Sequence, residues 1–234
     1  MKARGTAAGA IAIAGIITYH VLLFASIGLR PDLDPYWHTI SEWALGPWGW
    51  VTTSAFIIAG LSYGALFFAI AAEVRGWWGY LGLFIFGLCS LGLIGVGAFT
   101  MDPMTTTPDQ LTVRGMLHIL FGMTQMMLFP AAALLLSLNL ALRNEEWAAG
   151  KKALLVVSIL PLAGFIGFIV HLSLYVIPLG DYAYGPDVPI GWPPRILFLT
   201  YAMWLVTVAR GAMKVGAVEA QRYYFENAGA RANP

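Results

Sequence analysis

Residues 77–100 read WWGYLGLFIFGLCSLGLIGVGAFT, and none of these side chains is charged. An α-helix rises about 1.5 Å per residue, so roughly 20 apolar residues span the hydrocarbon core of a bilayer, which is about 30 Å thick. The run lacks the alternating polarity of barrel strands, and backbone groups in lipid must be hydrogen-bonded within their own segment. The run is therefore predicted to be a transmembrane helix.

Similar runs lie on both sides of it. We predict transmembrane helices at residues 6–29, 51–72, 77–100, 115–142, 153–178 and 196–218, within a transmembrane domain of residues 1–218 that is followed by a cytoplasmic tail at residues 219–234. Hydrophobic residues make up 59% of the chain and charged residues only 11%, whereas soluble domains carry about 25% charged residues. The predicted fold class is all-α, a polytopic membrane protein with a six-transmembrane-helix bundle.

The distribution of basic residues predicts the orientation of the bundle. Lys and Arg are enriched in cytoplasmic loops. If the N-terminus is cytoplasmic, only Arg30, Arg114 and Arg195 of the 13 Lys and Arg residues fall outside. Both termini are therefore predicted to be cytoplasmic. The formal net charge is only +1, with no clustered basic face, so we expect no nucleic-acid partner.

The outer loops are predicted to contain most of the unusual polar residues. In the first, residues 30–50, four tryptophans surround His38, Ser41 and Glu42, and tryptophan favours the membrane–water interface. Thr39 and Glu42 fit a capping box, which predicts a short interfacial helix. The third outer loop, residues 179–195, is rich in Pro and Gly and is predicted to be an ordered lid with little regular structure.

All four histidines are predicted to lie in the outer half or the outer loops, and Asp102 closes the third helix. An ionisable residue at membrane depth normally faces the bundle interior or a cavity. On the fourth helix, His118 shares a helical stripe with Gly115, Gly122 and Gln125, and His171 shares one with Gly164 and Gly167 on the fifth helix. Small residues allow close helix packing in lipid, so both histidines are expected to face inward.

These positions suggest two kinds of site. Three imidazoles with a carboxylate or water bind zinc and activate that water for hydrolysis, whereas two imidazoles can be the axial ligands of haem b. The candidate metal ligands are His20, His118, His171 and Asp102; the candidate cofactor ligands are His20, His118 and His171; the candidate catalytic residues are Ser41, Glu42, Asp102 and His118. Alternatively, each histidine makes one interhelical hydrogen bond, and Asp102 caps a helix or pairs with Arg114.

Three segments carry a family resemblance. Residues 38–50 read HTISEWALGPWGW, residues 99–103 read FTMDP and residues 115–118 read GMLH. In order and spacing they resemble prokaryotic membrane proteins grouped as domain-of-unknown-function family 998. The resemblance implies a six-helix bundle in a prokaryotic cytoplasmic membrane. It draws attention to Ser41, Glu42, Asp102 and His118 without giving them roles, since the family has no established activity.

Three functional hypotheses remain open. The first is a non-catalytic accessory, lipid-binding or cofactor-binding subunit of a membrane complex, whose partners are the bilayer and other membrane subunits. The second is a membrane-embedded metal-dependent hydrolase or b-haem redox protein that uses the outer His and Asp residues. The third is a small transporter, which the lack of inverted repeats disfavours. The sequence does not decide whether the protein is an enzyme.

Overall fold

The computed structural model describes residues 3–180 and 183–232. The α-helices are α1 Ala3–Leu29, α2 Gly49–Ile70, α3 Gly76–Ala98, α4 Val113–Arg143, α5 Lys151–Val157, α6 Ile159–His171 and α7 Trp192–Ala232. No strand occurs in the described ranges. Six segments are long and apolar enough to cross a membrane, with α5 and α6 belonging to the same one. The predicted all-α fold with six membrane-spanning helices is confirmed.

The helices form a closed ring in which each packs against its neighbours in sequence and α7 returns to pack against α1. The connections alternate between the two ends of the ring. We call the end with residues 30–48, 99–112 and 180–191 the loop side, and the end with residues 71–75 and 144–150 the terminal side. The predicted orientation places the loop side outside the cell.

An aromatic cluster fills the middle of the ring. Phe129 of α4 stacks on Tyr201 of α7 with ring centroids 4.1 Å apart, and Phe86 and Trp204 pack around this pair. The polar groups of the cluster are paired: Trp204 Nε1 donates to Ser137 Oγ at 2.8 Å, and Tyr201 donates to a backbone carbonyl of α4 at 2.7 Å. Buried polar atoms are costly without partners, so these bonds fix how α7 faces α4.

The fifth span, predicted as a helix at residues 153–178 that Pro161 kinks, is divided into several segments. It consists of α5, a turn at Ser158, α6, a π-helical segment Leu172–Val176 and a short 3-10 turn Ile177–Leu179. Proline lacks an N–H and clashes with the carbonyl four residues earlier. Pro161 therefore leaves the carbonyl of Val157 without its usual helical partner, and α5 ends at that residue.

A buried asparagine closes the terminal side between α3 and α4. Asn139 is 0% exposed. Its Oδ1 accepts from the Arg75 backbone N–H at 2.9 Å, and its Nδ2 donates to the Arg75 carbonyl at 2.6 Å. The side chain thereby pairs both backbone groups of the α2–α3 connection and fixes that connection to α4.

Candidate functional site

The predicted interfacial helix is present as a 3-10 helix, Ile40–Ala44, in the first loop of the loop side. The Glu42 carboxylate accepts a hydrogen bond from the Thr39 backbone N–H at 2.6 Å, as in a capping box. Gly46, with a φ of 82°, allows the chain to turn shortly after the helix ends. Glu42 and Trp43 are only 5% and 1% exposed, so this helix lies inside the protein and not on its surface.

Glu42 joins the first loop to the predicted lid. Its other oxygen accepts from the Tyr184 hydroxyl. Burial, together with this hydrogen bond and the negative charge of Glu42, raises the pKa of Tyr184 above its usual value. The phenol therefore stays protonated and keeps donating at physiological pH. Glu42 thus has a structural role, because one of its oxygens accepts from Thr39 in the first loop and the other from Tyr184 in the predicted lid.

His118 connects three elements beside this helix. Its Nδ1 lies 2.6 Å from the backbone carbonyl of Phe99, at the end of α3, and its Nε2 lies 2.9 Å from Ser41 Oγ. A carbonyl can only accept, so Nδ1 carries the hydrogen and Nε2 accepts from the serine hydroxyl. This is the hydrogen-bond pattern of a nucleophile and its general base, and it also ties the first loop to α3 and α4.

Asp102, a candidate metal ligand in the sequence, instead forms hydrogen bonds at the start of α4. Its carboxylate accepts from the Thr112 backbone N–H at 2.8 Å and from the Thr112 hydroxyl at 2.9 Å. The same hydroxyl accepts from the Gly115 N–H at 3.0 Å. Asp102 therefore stabilises the start of α4. The two structural alternatives were helix capping and an ion pair with Arg114. The structure has the capping contacts, and Asp102 makes no ion pair with Arg114 within the described ranges.

Arg195, in the first turn of α7, is a central residue of the site that sequence reasoning missed. Its Nη1 donates to the carbonyls of His38, at 3.1 Å, and Gly191. Its guanidinium lies 4.7 Å from the ring centroid of Trp43 and 5.8 Å from that of Trp192. Nε and Nη2 form no hydrogen bond with any residue described here. The signal was a lone basic residue at the outer end of the last apolar run.

A pocket with a cavity volume of about 60 Å³ lies between α1 and α7 beside this guanidinium. Its apolar lining includes Leu23, Phe24, Ile27, Ile40, Ile196 and Leu199. Four lining residues also bear side-chain nitrogens: His20, Trp43, Trp192 and Arg195. His20 Nδ1 bonds the Ile16 carbonyl at 2.9 Å, whereas His20 Nε2 and the Trp43 indole nitrogen have no partner among the described residues. The pocket therefore combines unused polar nitrogens with an apolar wall.

The predicted convergence of His20, His118, His171 and Asp102 is not seen. His20 lines the α1–α7 pocket, His118 bonds Ser41, and His171 Nε2 bonds the Pro189 carbonyl at 2.6 Å. No group of three or more His, Cys, Asp or Glu side chains within residues 3–180 and 183–232 is arranged to hold a metal ion. The reason is architectural: α1, α4 and α6 form different parts of the ring, and a helical stripe does not specify its partner.

Six apolar helices closed into a ring, with the polar site at one end, define a multi-pass α-helical membrane protein. Residues 12–211 match the family described as Protein of unknown function (DUF998), so the chain belongs to that family. The match includes Ser41, Glu42, His118 and Arg195 and confirms the resemblance seen in the sequence. No curated protein and no solved structure is significantly similar to the chain.

Proposed function

We propose that this protein binds a membrane lipid in the pocket between α1 and α7, as a non-catalytic component of the membrane. The headgroup oxygens bond Arg195, and an acyl chain lies along the apolar wall. The observation that carries the proposal is the position of the Arg195 guanidinium in an apolar pocket. Its Nε and Nη2 have no hydrogen-bond partner among the described residues. In the predicted orientation the lipid belongs to the outer leaflet.

The electrostatics of Arg195 favour an oxygen-rich ligand. A charged group at membrane depth is costly unless it is paired, and the guanidinium fork matches phosphate and carboxylate oxygens in two directions. Glu42 is the acidic residue that interacts with Arg195 electrostatically. However, within the described residues Glu42 makes no hydrogen bond or ion pair with Arg195, and its oxygens accept from Thr39 and Tyr184. A phosphate or carbonyl oxygen of a lipid would supply the missing acceptor.

The apolar wall favours a lipid over a small soluble anion. Phe24, Ile196 and Leu199 line the pocket and are 56%, 57% and 43% exposed. All three lie on membrane-spanning helices, so their exposed surfaces face the acyl chains of the bilayer. In a ligand with its polar end at Arg195 and its apolar end along these side chains, the polar end is hydrogen-bonded and the apolar end contacts apolar groups.

Filling the pocket should remove the bound lipid. Leu199→Trp places a large ring in the pocket, and we expect purified protein to retain at least about fivefold less lipid per chain than wild type, a loss of roughly 1 kcal/mol in affinity. Lipid retained after detergent exchange is measured by mass spectrometry. The matched control is Met203→Trp, one turn along α7, because Met203 is 56% exposed and does not line the pocket.

The control variant should retain lipid as the wild type does. Equal retention by Leu199→Trp, Met203→Trp and wild type would overturn the proposal, as would wild-type protein that retains no lipid. Arg195→Gln provides a second measurement: a headgroup contact predicts that this variant loses selectivity for phosphate-bearing over neutral lipids. Unchanged selectivity would place the headgroup elsewhere.

A second candidate function is favoured by the contact of 2.9 Å between Ser41 Oγ and His118 Nε2. In this alternative, the protein is a hydrolase in which Ser41 attacks an ester carbonyl while His118 takes the hydroxyl proton. Wild-type protein should then react with a fluorophosphonate probe, and both Ser41→Ala and His118→Ala should lose more than about 90% of the label. Ser173→Ala is the control, since Ser173 is exposed on the loop side and its hydroxyl bonds only a helix carbonyl. Unlabelled wild-type protein would exclude Ser41 as a nucleophile.

A further inference from the structure

We infer that the terminal side contains a second, separate site, which binds the headgroup of an anionic phospholipid. The site is a groove of about 660 Å³ between α7 and the segment that joins α4 to α5. Its basic lining residues are Arg210, Lys214 and Arg222 of α7. None of its lining residues lines the loop-side pocket, so the inference does not depend on the proposed function.

The depth of the groove matches a headgroup. Counted from Trp192 at about 1.5 Å per residue, Arg210 lies about 27 Å and Lys214 about 33 Å along α7. The hydrocarbon core is about 30 Å thick. If Trp192 lies at one membrane surface, these two cations lie at the other, where lipid phosphates are. Arg222 is about two turns farther along the helix and extends the basic surface toward water.

The side chains that the structure describes do not pair with the cations of the groove. Arg210, Lys214 and Arg222 make no ion pair and no side-chain hydrogen bond with any residue in the described part of the chain. Among the described lining residues, the acidic one is Glu146. Within this described set, three positive charges face one negative charge, and a phosphate group would balance the excess, since Arg and Lys both bind phosphate through charge-assisted hydrogen bonds.

The wall of the groove is suited to a lipid. Trp147 is 2% exposed, and its indole nitrogen has no partner among the described residues. Its ring packs so closely on α7 that a Cβ added at Gly211 would lie 2.4 Å from it. Ala149, Gly150, Ala153 and Ala217 line the groove with small side chains. Basic side chains above a shallow apolar wall fit a phosphate that is attached to glycerol and acyl chains.

The chemistry favours a lipid phosphate over a soluble one. Basic pockets between transmembrane helices near the cytoplasmic surface bind anionic headgroups, and each basic residue near the surface contributes attraction to anionic lipid. Inorganic phosphate would leave the apolar part of the groove uncovered. A phosphate monoester headgroup, as in phosphatidic acid, balances the excess charge better than a phosphodiester with one negative charge. The preference for phosphatidic acid over phosphatidylglycerol is therefore part of the inference.

The inference is tested by native mass spectrometry of the full chain in detergent with equal amounts of phosphatidic acid, phosphatidylglycerol and phosphatidylcholine. Wild type should bind phosphatidic acid in preference to phosphatidylcholine. Arg210→Gln with Lys214→Gln should lower the phosphatidic acid affinity about tenfold or more. Lys151→Gln with Lys152→Gln is the matched control, because both lysines are exposed near the same end and lie outside the groove. The control should change the affinity less than twofold.

A second variant keeps the test valid if the double glutamine variant does not fold. Ala217→Trp fills the groove without changing charge, and it should reduce phosphatidic acid binding while the lipid retained at the loop side is unchanged. Equal losses in both double variants would show a general charge effect and overturn the site. So would full retention in Ala217→Trp, wild type without preference for anionic lipid, or displacement of the lipid by equimolar inorganic phosphate.

Discussion

Gly191→Ala is expected to destabilise the loop side by about 3 kcal/mol or more, or to prevent the chain from folding. A Cβ at position 191 would lie 2.1 Å from the Pro35 carbonyl oxygen and 2.7 Å from the His38 carbonyl oxygen. Both atoms are backbone, so a side-chain rotation cannot relieve the overlap. The two loops would have to separate, and the hydrogen bond of 2.9 Å from the Gly191 N–H to the Tyr36 carbonyl would be lost.

The separation would also disrupt the pocket between α1 and α7, because Arg195 Nη1 donates to the carbonyls of Pro35 and His38. Thermal unfolding in detergent, followed by tryptophan fluorescence, measures the effect. Gly167→Ala is the matched control: a Cβ there meets no atom within 4 Å, and alanine is the better helix former. The control should be as stable as wild type or slightly more stable. Similar unfolding temperatures for both variants would show that the two loops are not in contact.

Phe129→Ala is expected to cost about 3–5 kcal/mol of unfolding free energy. Phe129 is 0% exposed and contacts the rings of Tyr63, Phe86, Tyr201 and Trp204. In lipid, helix association depends on van der Waals packing because the hydrophobic effect no longer drives it. Removing the ring leaves a cavity that the surrounding aromatic side chains cannot collapse to fill.

The matched control is Phe68→Ala, because Phe68 is 75% exposed on the membrane-spanning helix α2. Lipid chains can occupy the space that it leaves, so the expected change is below about 0.5 kcal/mol. Both variants are compared by denaturant titration of the protein in detergent. If they lost equal stability, the aromatic cluster would not be the packed centre of the ring.

Local sequence signals were sufficient for the helices. Six apolar runs of membrane-spanning length predict six spans without any knowledge of tertiary contacts, because lipid permits few alternatives. The spacing of Thr39 and Glu42 predicted the short helix of the first loop for a similarly local reason, since its capping bond joins residues three apart. In the fifth span, Pro161 is a local signal of the same kind: a proline inside the apolar run predicts a kink, and the structure has the break between α5 and α6 beside it.

The site depended on contacts that a single sequence does not contain. The pairing of Ser41 with His118 joins residues 77 positions apart, and the contact of Arg195 with the His38 carbonyl joins residues 157 positions apart. Helical periodicity showed that His118 faces inward, but it could not distinguish a serine from a metal as its partner. The shared histidine site is not formed for that reason, and of the candidate catalytic residues Ser41, Glu42, Asp102 and His118, the structure brings Ser41 and His118 into direct contact.

The closure of the ring by α1 and α7 has a consequence for biosynthesis. The pocket lies between these two helices, and residues 196–199 are translated about 176 to 179 positions after His20. At roughly 5–20 residues per second, the nascent chain exposes the unfinished face of α1 for about 9–36 s before its partner is synthesised. The pocket between α1 and α7 can therefore assemble only when translation is nearly complete.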